Sequence, residues 1–576
     1  MRTFPGIAAS SGIAIGPAFH VQQVALSFDR YRVNDTEAEI ARFDVALEVA
    51  RDQLEGVYDR AQVECGPDDA AIFQAHALML EDPELLQTVR RAIEDQGLNA
   101  ESALSDAAEV YAQMLEALDD QYLCTRAADV RDVADRVLRI LTGVAETNAT
   151  ALSQPSIVLA HDLSPSDTVL LDKSMVLGFC TAEGGPMAHT AILARSLGLP
   201  AVVGAGPEIL TIPNGAPLIL DGTQGELVLG ADGGTAARCQ ARQAAAMAAL
   251  RTARRQAQEP AVTRDGHRVE VVANVGNVAG AQEALAAGAE GVGLLRTEFL
   301  YLERAELPDE EEQVRAYREI ADVFGGHQPV ILRTLDVGGD KELPYLDLPL
   351  ELNPFLGMRA IRLCLSRPEL FKPQLRAALR AGVGRKIKLM FPMVTTVEEV
   401  RAAQAVLADC RTELVVEGHP VPEAMEVGIM IEVPAAALMA DRLAPEVDFF
   451  SIGTNDLSQY TAAADRTNAQ VASLVTGFQP AVLRLVRRTI DAAHAAGKWV
   501  GLCGEFAGEP LAIPILLGLG LDEFSMNPSA IPLAKQVIRS LTRAECLEVA
   551  QAALEQDGPE AVRALVRERV PAADVR

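Results

Sequence analysis

Positive charge, paired cysteines and long apolar runs are all scarce in this chain of 576 residues. It carries 51 Lys+Arg against 80 Asp+Glu, a formal net charge of −29. So few cations make it a poor partner for nucleic acid, because phosphate binding needs a basic surface. The eight cysteines are scattered and form no CxxC pair. That argues against a disulfide framework or a zinc ribbon and suits a reducing compartment. No apolar run reaches about 18 residues, so no membrane insertion is expected. The opening MRTFPGIAASSGIAIGPAF has no charged stretch followed by an apolar one. No signal peptide is read there, and a cytoplasmic location is expected.

What is present is an ordinary soluble composition, 49% apolar and 23% charged, in a chain long enough for two or three domains. The negative charge is unevenly spread. From Asp35 to Glu146 there are 26 Asp+Glu and 9 Arg with no Lys, so 26 − 9 gives a net −17. A basic protein partner fits such a surface, since complementary charge speeds encounter. A purely solubilising acidic face is the simpler account of the same feature.

Four regions follow one another. Residues 1–22 are Gly- and Ala-rich with short β-like runs. Residues 33–146 are helical in pattern, with apolar residues recurring at three and four, as at Ile40, Phe43 and Leu47. From about 155 to 230 the pattern changes to short strands separated by Gly, Pro and Asn turns: Ile157–Ala160, Val176–Cys180, Ala201–Val203, Pro217–Leu220 and Glu226–Leu229. This predicts a small α/β domain that also takes in residues 1–22, with the helical block inserted. Residues 234–258 are Ala/Arg/Gln-rich without a broad apolar stripe, which reads as a linker helix closed by Pro260.

The second half holds eight apolar strand-like runs: Val269–Asn274, Gly291–Glu298, Pro329–Asp336, Lys388–Val394, Glu426–Ala435, Asp448–Leu457, Lys498–Glu505 and Glu523–Ser529. Most are followed by a helical stretch. Parallel strands covered on both faces read as continuous Val/Ile/Leu runs, and eight such units are the count of a (β/α)8 barrel with its active site at the strand C-termini. Polar residues cluster at those ends. GVGLLRTEFL supplies Arg296 and Glu298; VILRTLDVGGDK supplies Arg333, Asp336 and Lys341; NPFLGMRAIR supplies Arg359. IMIEVPAA supplies Glu432, FFSIGTNDLSQY supplies Asn455 and Asp456, AADRTN supplies Arg466, and VGLCGEFAG supplies Cys503 and Glu505. Glu432 and Asp456 are hard oxygen ligands that suit Mg2+. The four arginines suit bidentate capture of phosphate and carboxylate oxygens. Cys503 is a thiol placed to donate a proton to a carbanion-like centre. Structural ion pairs around the barrel mouth are the alternative for any one of these residues.

A second signal lies in TAEGGPMAHTAILARSLGLPAVVG, residues 181–204. A strand runs into Gly184-Gly185, then His189, then a helix-like stretch from Thr190 to Leu197. A histidine at a helix N-terminus faces free backbone N–H groups and a dipole that favours negative charge. Neutral imidazole there can carry a phosphoryl group covalently. A histidine that only caps a helix gives the same pattern.

LLRTEFL, RTLDVGGDK, NPFLG-RAIR, IEVPA, SIGTNDL-QY and CGE resemble the phosphoenolpyruvate site of the phosphoenolpyruvate-protein phosphotransferase family, Enzyme I of the bacterial sugar phosphotransferase system. The resemblance covers essentially the whole chain. It implies a small α/β phosphohistidine (swivelling) domain of residues 1–22 plus 147–230, with an all-helical subdomain, 23–146, inserted. A linker helix, 231–260, and a C-terminal (β/α)8 barrel, 261–576, would follow. It implies that His189 takes the phosphoryl group from phosphoenolpyruvate, releasing pyruvate, and passes it to a histidine of a phosphocarrier protein docked on the helical subdomain. Arg296, Arg333, Asn455, Asp456 and Arg466 match substrate-binding positions, with Arg359 added. Glu432 and Asp456 match Mg2+ ligands, and Cys503 matches the residue that protonates the enolate. The barrel is expected to form a homodimer. Where the family has a hydroxyl residue just before the histidine, this chain reads GGPMAH, with Met187 and Ala188. Thr190 and Thr168 are the hydroxyl residues expected to compensate. Met358 stands where an aromatic is often found.

Two other readings remain open at this level. A phosphoenolpyruvate synthase or pyruvate phosphate dikinase shares the histidine domain and barrel but needs an ATP-grasp domain ahead of them. The roughly 150 residues here are helical, with no Gly-rich phosphate loop. A paralogue that docks partners without transferring phosphate is the other reading, carried by the altered GGPMAH loop.

Overall fold

The computed structural model describes the chain apart from residues 22–25, 65–75, 117–120, 145–151, 164–170, 186–188, 303, 305, 339–344, 347–350, 467, 469 and 575–576. The side chains at 59–64, 116, 121–126, 128, 173, 189, 192 and 196 also lie outside the description, as do the predicted site neighbours Lys341, Met187, Ala188 and Thr168. The chain divides into two compact units, Met1–Ala244 and Ala245–Val575.

The first unit is built on one eight-stranded sheet. Its strands are β1 (Arg2–Pro5), β2 (Ile7–Ser10), β3 (Ile13–His20), β4 (Ser156–Ala160), β5 (Val176–Thr181), β6 (Ala201–Val203), β7 (Pro217–Asp221) and β8 (Glu226–Leu229). Their order is β1-β8-β7-β3-β4-β5-β6-β2. β3 and β4 are parallel neighbours, with Ala18 opposite Ile157, yet the helical block lies between them in sequence. That block comprises α1 (Thr36–Glu64), α2 (Pro83–Gln96), α3 (Ala100–Glu116) and α4 (Gln121–Thr142). It is therefore an excursion from the sheet, with a core of its own around Phe43, Leu54, Val89, Ile93, Leu104 and Val137.

Local signals explain the helices. The Asp82 carboxylate accepts from the N–H groups of Glu84 and Leu85 at the start of α2, Pro83 opens the first turn, and Gly97 ends the helix at φ 64. Leu85, Val89 and Ile93, four apart, form its buried stripe. Helix α5 (His189–Leu197) follows β5, and α6 (Gly233–Arg255) follows β8. Ala253 is the one residue of α6 that is buried, as expected of a linker helix without an apolar stripe.

The second unit is a closed, all-parallel barrel. Its strands are β9 (Glu270–Val275), β10 (Val292–Leu295), β11 (Val330–Arg333), β12 (Ile387–Phe391), β13 (Val427–Ile431), β14 (Phe449–Ile452), β15 (Trp499–Leu502) and β16 (Glu523–Met526), and β9 pairs with both β10 and β16. Each matches one of the eight predicted runs. Leu294, Ile331, Met390, Met430, Phe449 and Cys503 pack together as a cluster separate from the larger core under the surrounding helices.

At the N-terminal end of the barrel the interior is polar. Lys388 pairs with Glu426 at 2.7 Å and lies 4.4 Å from the Trp499 ring, which stacks on Phe449 at 4.6 Å. Glu523 is 3% exposed, and its Oε1 has no hydrogen-bond partner among the described residues. Burial first, and Glu270 second, push its carboxyl up to about 8 from an ordinary 4.5. The folded chain then holds this proton where the unfolded chain has released it. The stability contributed is fully present below about pH 4.5 and is lost as pH rises towards 8. Glu523→Gln is expected to match the parent near pH 5 and to gain on it by about 1.4 kcal/mol per pH unit above that. Urea denaturation followed at Trp499, the single tryptophan, reads this directly. A gap that does not change between pH 5 and 8 would mean the carboxyl is charged in the fold.

Candidate active site

At the C-terminal mouth of the barrel, oppositely charged side chains alternate along a buried network. Arg333 ends β11 and is 8% exposed. Its Nη2 donates to Glu298 Oε1 at 3.0 Å, and its Nη1 lies 3.1 Å from Asp336 Oδ2. Glu298 also accepts from the Asp336 N–H at 3.0 Å. Asp336 in turn receives Arg359, whose Nη2 lies 3.0 and 3.1 Å from its two oxygens. Arg359 continues to Asp456 Oδ1 at 3.5 Å, and Arg466 reaches the same oxygen at 3.7 Å. Burial opposes the Arg333 charge, but Glu298 and Asp336 outweigh it and hold its pKa above the ordinary value. For Arg359, burial is likewise outweighed, by Asp336 and Asp456.

Glu432, one residue past β13, is 1% exposed and accepts from the Met393 N–H at 2.6 Å. Burial and then the nearby Asp456 and Asp336 drive its carboxyl well above the usual carboxylate range, against Arg333 and Arg359. Gly453 makes room for it: a Cβ there would lie 2.9 Å from Glu432 Oε2. Asp456 sits in the first turn of the helix Thr454–Ala462, and beyond the two arginines its Oδ1 has no hydrogen-bond partner among the described residues. Among the described residues no three His, Cys, Asp or Glu converge on one point. Glu432 and Asp456 are two buried carboxylates at this mouth. Hard carboxylate oxygens of this kind suit a divalent cation that keeps several waters.

The remaining predicted residues lie around the same mouth. Arg296 is exposed just past β10, its N–H bound to Val275 O. Asn455 is half-buried, and its Oδ1 accepts from the Glu505 N–H at 3.2 Å. Cys503 is 4% exposed at the end of β15, its carbonyl bound by Asn274 Nδ2 at 2.9 Å. Burial pushes its thiol up to about 11. Met358 is 39% exposed in the loop before Arg359.

His189 belongs to the other unit, as the first residue of α5. The chain leaves β5, bends back with the Glu183 N–H on His161 O at 2.9 Å, and passes Gly184 at φ 103. Thr190, next along, is fully buried, and its Oγ1 has no partner among the described residues.

Several features of the mouth have no counterpart in the sequence reading. Tyr460 OH takes a hydrogen bond from Arg359 Nη1 at 3.1 Å and donates to Phe355 O at 2.6 Å. It ties the arginine to the NPFLG loop. Tyr460 stood within the SIGTNDLSQY stretch, but a tyrosine eight residues beyond a strand carries no mark of that task. Met393, Ala360 and Ala463 adopt φ of 58, 52 and 50. These are the non-glycine residues with positive φ among those described, and all three flank residues of the mouth. Such strain gathers at functional sites, and nothing in the side chains announces it.

Three family models match the chain: "PEP-utilising enzyme, N-terminal" over residues 5–126, "PEP-utilising enzyme, mobile domain" over 152–225 and "PEP-utilising enzyme, PEP-binding domain" over 251–543. Among curated relatives, the phosphoenolpyruvate-protein phosphotransferase of Bacillus sp. (strain S) is 48% identical over 566 residues, 98% of each chain. That of Geobacillus stearothermophilus is also 48% identical over 566 residues, 98% of each chain. That of Bacillus subtilis (strain 168) is 46% identical over 568 residues, 99% of this chain and 100% of its own.

The crowding of carboxylates generates an expectation. In a chelator at neutral pH, Glu432→Gln should melt higher than the parent, because the parent must take up a proton to bury this carboxyl beside Asp456 and Asp336. Millimolar Mg2+ should raise the melting temperature of the parent more than that of the variant. Equal shifts in both proteins would remove Glu432 from the cation site.

Proposed function

The chain belongs to the phosphoenolpyruvate-protein phosphotransferase family, and from that premise we propose how its residues divide the work. The activity is transfer of the phosphoryl group of phosphoenolpyruvate to a protein. In our reading, phosphoenolpyruvate sits at the barrel mouth. Arg296, Arg333, Arg359 and Arg466, with Asn455, hold its phosphate and carboxylate oxygens. The observation that carries this reading is the buried Glu298–Arg333–Asp336–Arg359–Asp456 network. Its arginines are aimed by their carboxylate partners before any ligand arrives, so little reorganisation is left for the reaction itself.

The imidazole of His189 attacks phosphorus. An N–P bond forms, the bond from phosphorus to the enol oxygen breaks, and the electron pair leaves with the enolate. Cys503 gives its proton to the enolate carbon, yielding pyruvate. A thiol pushed up to about 11 still carries that proton at neutral pH. Glu432 and Asp456 would hold Mg2+, which when bound neutralises charge on the transferring phosphoryl group and the enolate oxygen. Phospho-His189 then passes its phosphoryl group to a histidine of a small phosphocarrier protein on the acidic helical block, residues 23–146. We further propose residues 231–260 as the linker that allows the swing, a homodimer through the barrel, a cytoplasmic setting and sugar uptake as the process served. The hydroxyl of Thr190, buried and without a partner among the described residues, supports a working histidine loop despite Met187 and Ala188.

Radiolabelled phosphoenolpyruvate tests the nucleophile. His189→Ala should take up no label while still binding phosphoenolpyruvate, and labelling at the parent's stoichiometry would move the role elsewhere. Carrier docking should weaken several-fold when salt rises from about 0.05 to 0.5 M, because screening shortens from roughly 14 to 4 Å. Salt-insensitive docking would point away from the acidic block.

A further inference from the structure

Past the end of α6 the chain does not float free before the barrel begins. Ala253, Ala257 and Ala261, four apart, are all buried. The Ala257 carbonyl accepts from Lys535 Nζ at 3.1 Å. Gln258 Nε2 donates to Leu285 O at 3.0 Å, and the Glu259 carbonyl accepts from Arg539 Nη1 at 3.2 Å. Lys535 is 1% exposed in the helix Ile531–Ser540, which follows β16. Three oxygens surround its ammonium: Ala257 O, Gly288 O at 2.6 Å and Glu290 Oε1 at 3.1 Å. Glu290 is held in turn by Arg268 at 2.8 Å. Gly288, at φ 89, completes the seat. A Cβ there would lie 2.1 Å from Ala257 O, so only glycine lets the two backbones meet.

A buried ammonium is costly unless oxygens surround it, and two of these three are backbone carbonyls on segments far apart in sequence. One lies just past the linker helix, where a cation also complements the helix dipole. The other lies in the turn between the helix Val278–Ala286 and β10. The ammonium thus joins the root of the linker to the wall of the barrel. Neither Lys535 nor its partners belong to the substrate mouth.

We propose that Lys535 is a positioning residue for phosphoryl transfer. It fixes the root of the linker helix in the barrel wall, so the motion that brings His189 to phosphoenolpyruvate is taken up on the N-terminal side of Ala253. With the root fixed, the approach of the histidine is a search about one pivot. With the root loose, the same search spreads over many more orientations, and misplacement of reacting groups by about 1 Å can cost 100-fold in rate. This inference rests on His189 being the travelling nucleophile.

The full-length Lys535→Met variant keeps the side-chain volume and removes the charge. Gly288→Ala displaces the Ala257 carbonyl while leaving the lysine in place, and serves if the first variant folds poorly. Four quantities are read: amide hydrogen exchange over residues 253–260, the rate of labelling by phosphoenolpyruvate, the rate of labelling by the phosphorylated carrier, and phosphoenolpyruvate binding. We expect exchange over 253–260 to accelerate and phosphoenolpyruvate-driven labelling to fall roughly 10- to 100-fold. Carrier-driven labelling and phosphoenolpyruvate binding should stay within about twofold, as they need only one unit each. Unchanged phosphoenolpyruvate-driven labelling in a folded variant with faster exchange overturns the proposal. So does a matching loss of binding or of carrier-driven labelling, which would mark Lys535 as general scaffolding. Label that persists in His189→Ala instead overturns the reading beneath it.

Discussion

The mouth of the barrel depends on a single condition, that no guanidinium there is buried without a carboxylate directly against it. Arg333 and Arg359 are both nearly inaccessible, and each is held between two acids. Asp336 is shared by both, so the two arginines cannot move independently. Breaking a buried pair by removing one partner typically costs about 3–5 kcal/mol, because the other charge is stranded. The arrangement therefore gives direction to the arginines rather than net stability. It also accounts for the loop that brings Arg359 in. Its end from Asn353 to Met358 has one turn of 3-10 helix, and its arginine binds Asp336 on one side and Tyr460 on the other.

The rest of the mouth is shaped around that network by local backbone exceptions. Gly338, at φ 109, lets its turn press against Met358 and Arg359, where a Cβ would lie 2.5 Å from the Met358 carbonyl. Met393 holds φ 58 and turns its N–H to Glu432. The strands beneath are regular and buried along their length. Strain is thus concentrated at the loops that meet the ligand, while the barrel body supplies the rigidity against which it is held.

Much of this was legible in the residues. All eight barrel strands appeared as apolar runs, because a parallel strand covered on both faces needs apolar side chains throughout. The predicted runs were longer than the strands at the ends that carry chemistry. Glu426–Ala435 continues past β13 because Val433–Ala435 is apolar too, yet those residues open the helix Pro434–Leu438. Gly291–Glu298 overran β10 in the same way, since Glu298 begins a turn of 3-10 helix. Arg333, Arg359, Glu432 and Asp456 were recognisable by type and position. Their pairings, the Met393 amide and the Tyr460 bridge were not, because each depends on chain segments brought together only by closure of the barrel. The pairings of β1 with β8 and β2 with β6 were hidden for the same reason, as contacts between distant segments leave no local periodicity.

The sheet of the first unit has a bearing on how the protein is made. β1 to β3 leave the ribosome first, but β3 must wait for β4 and β7, and β1 for β8, with Arg2 finally opposite Leu229. For most of that interval three nascent strands have unpaired edges, the condition under which chains aggregate. The helical block between β3 and β4 has its own core and mostly local contacts, so it can fold during the wait. It then brings its two ends to adjacent places in the sheet. Once folded, an excursion of this kind shortens the effective span that the first strands must bridge.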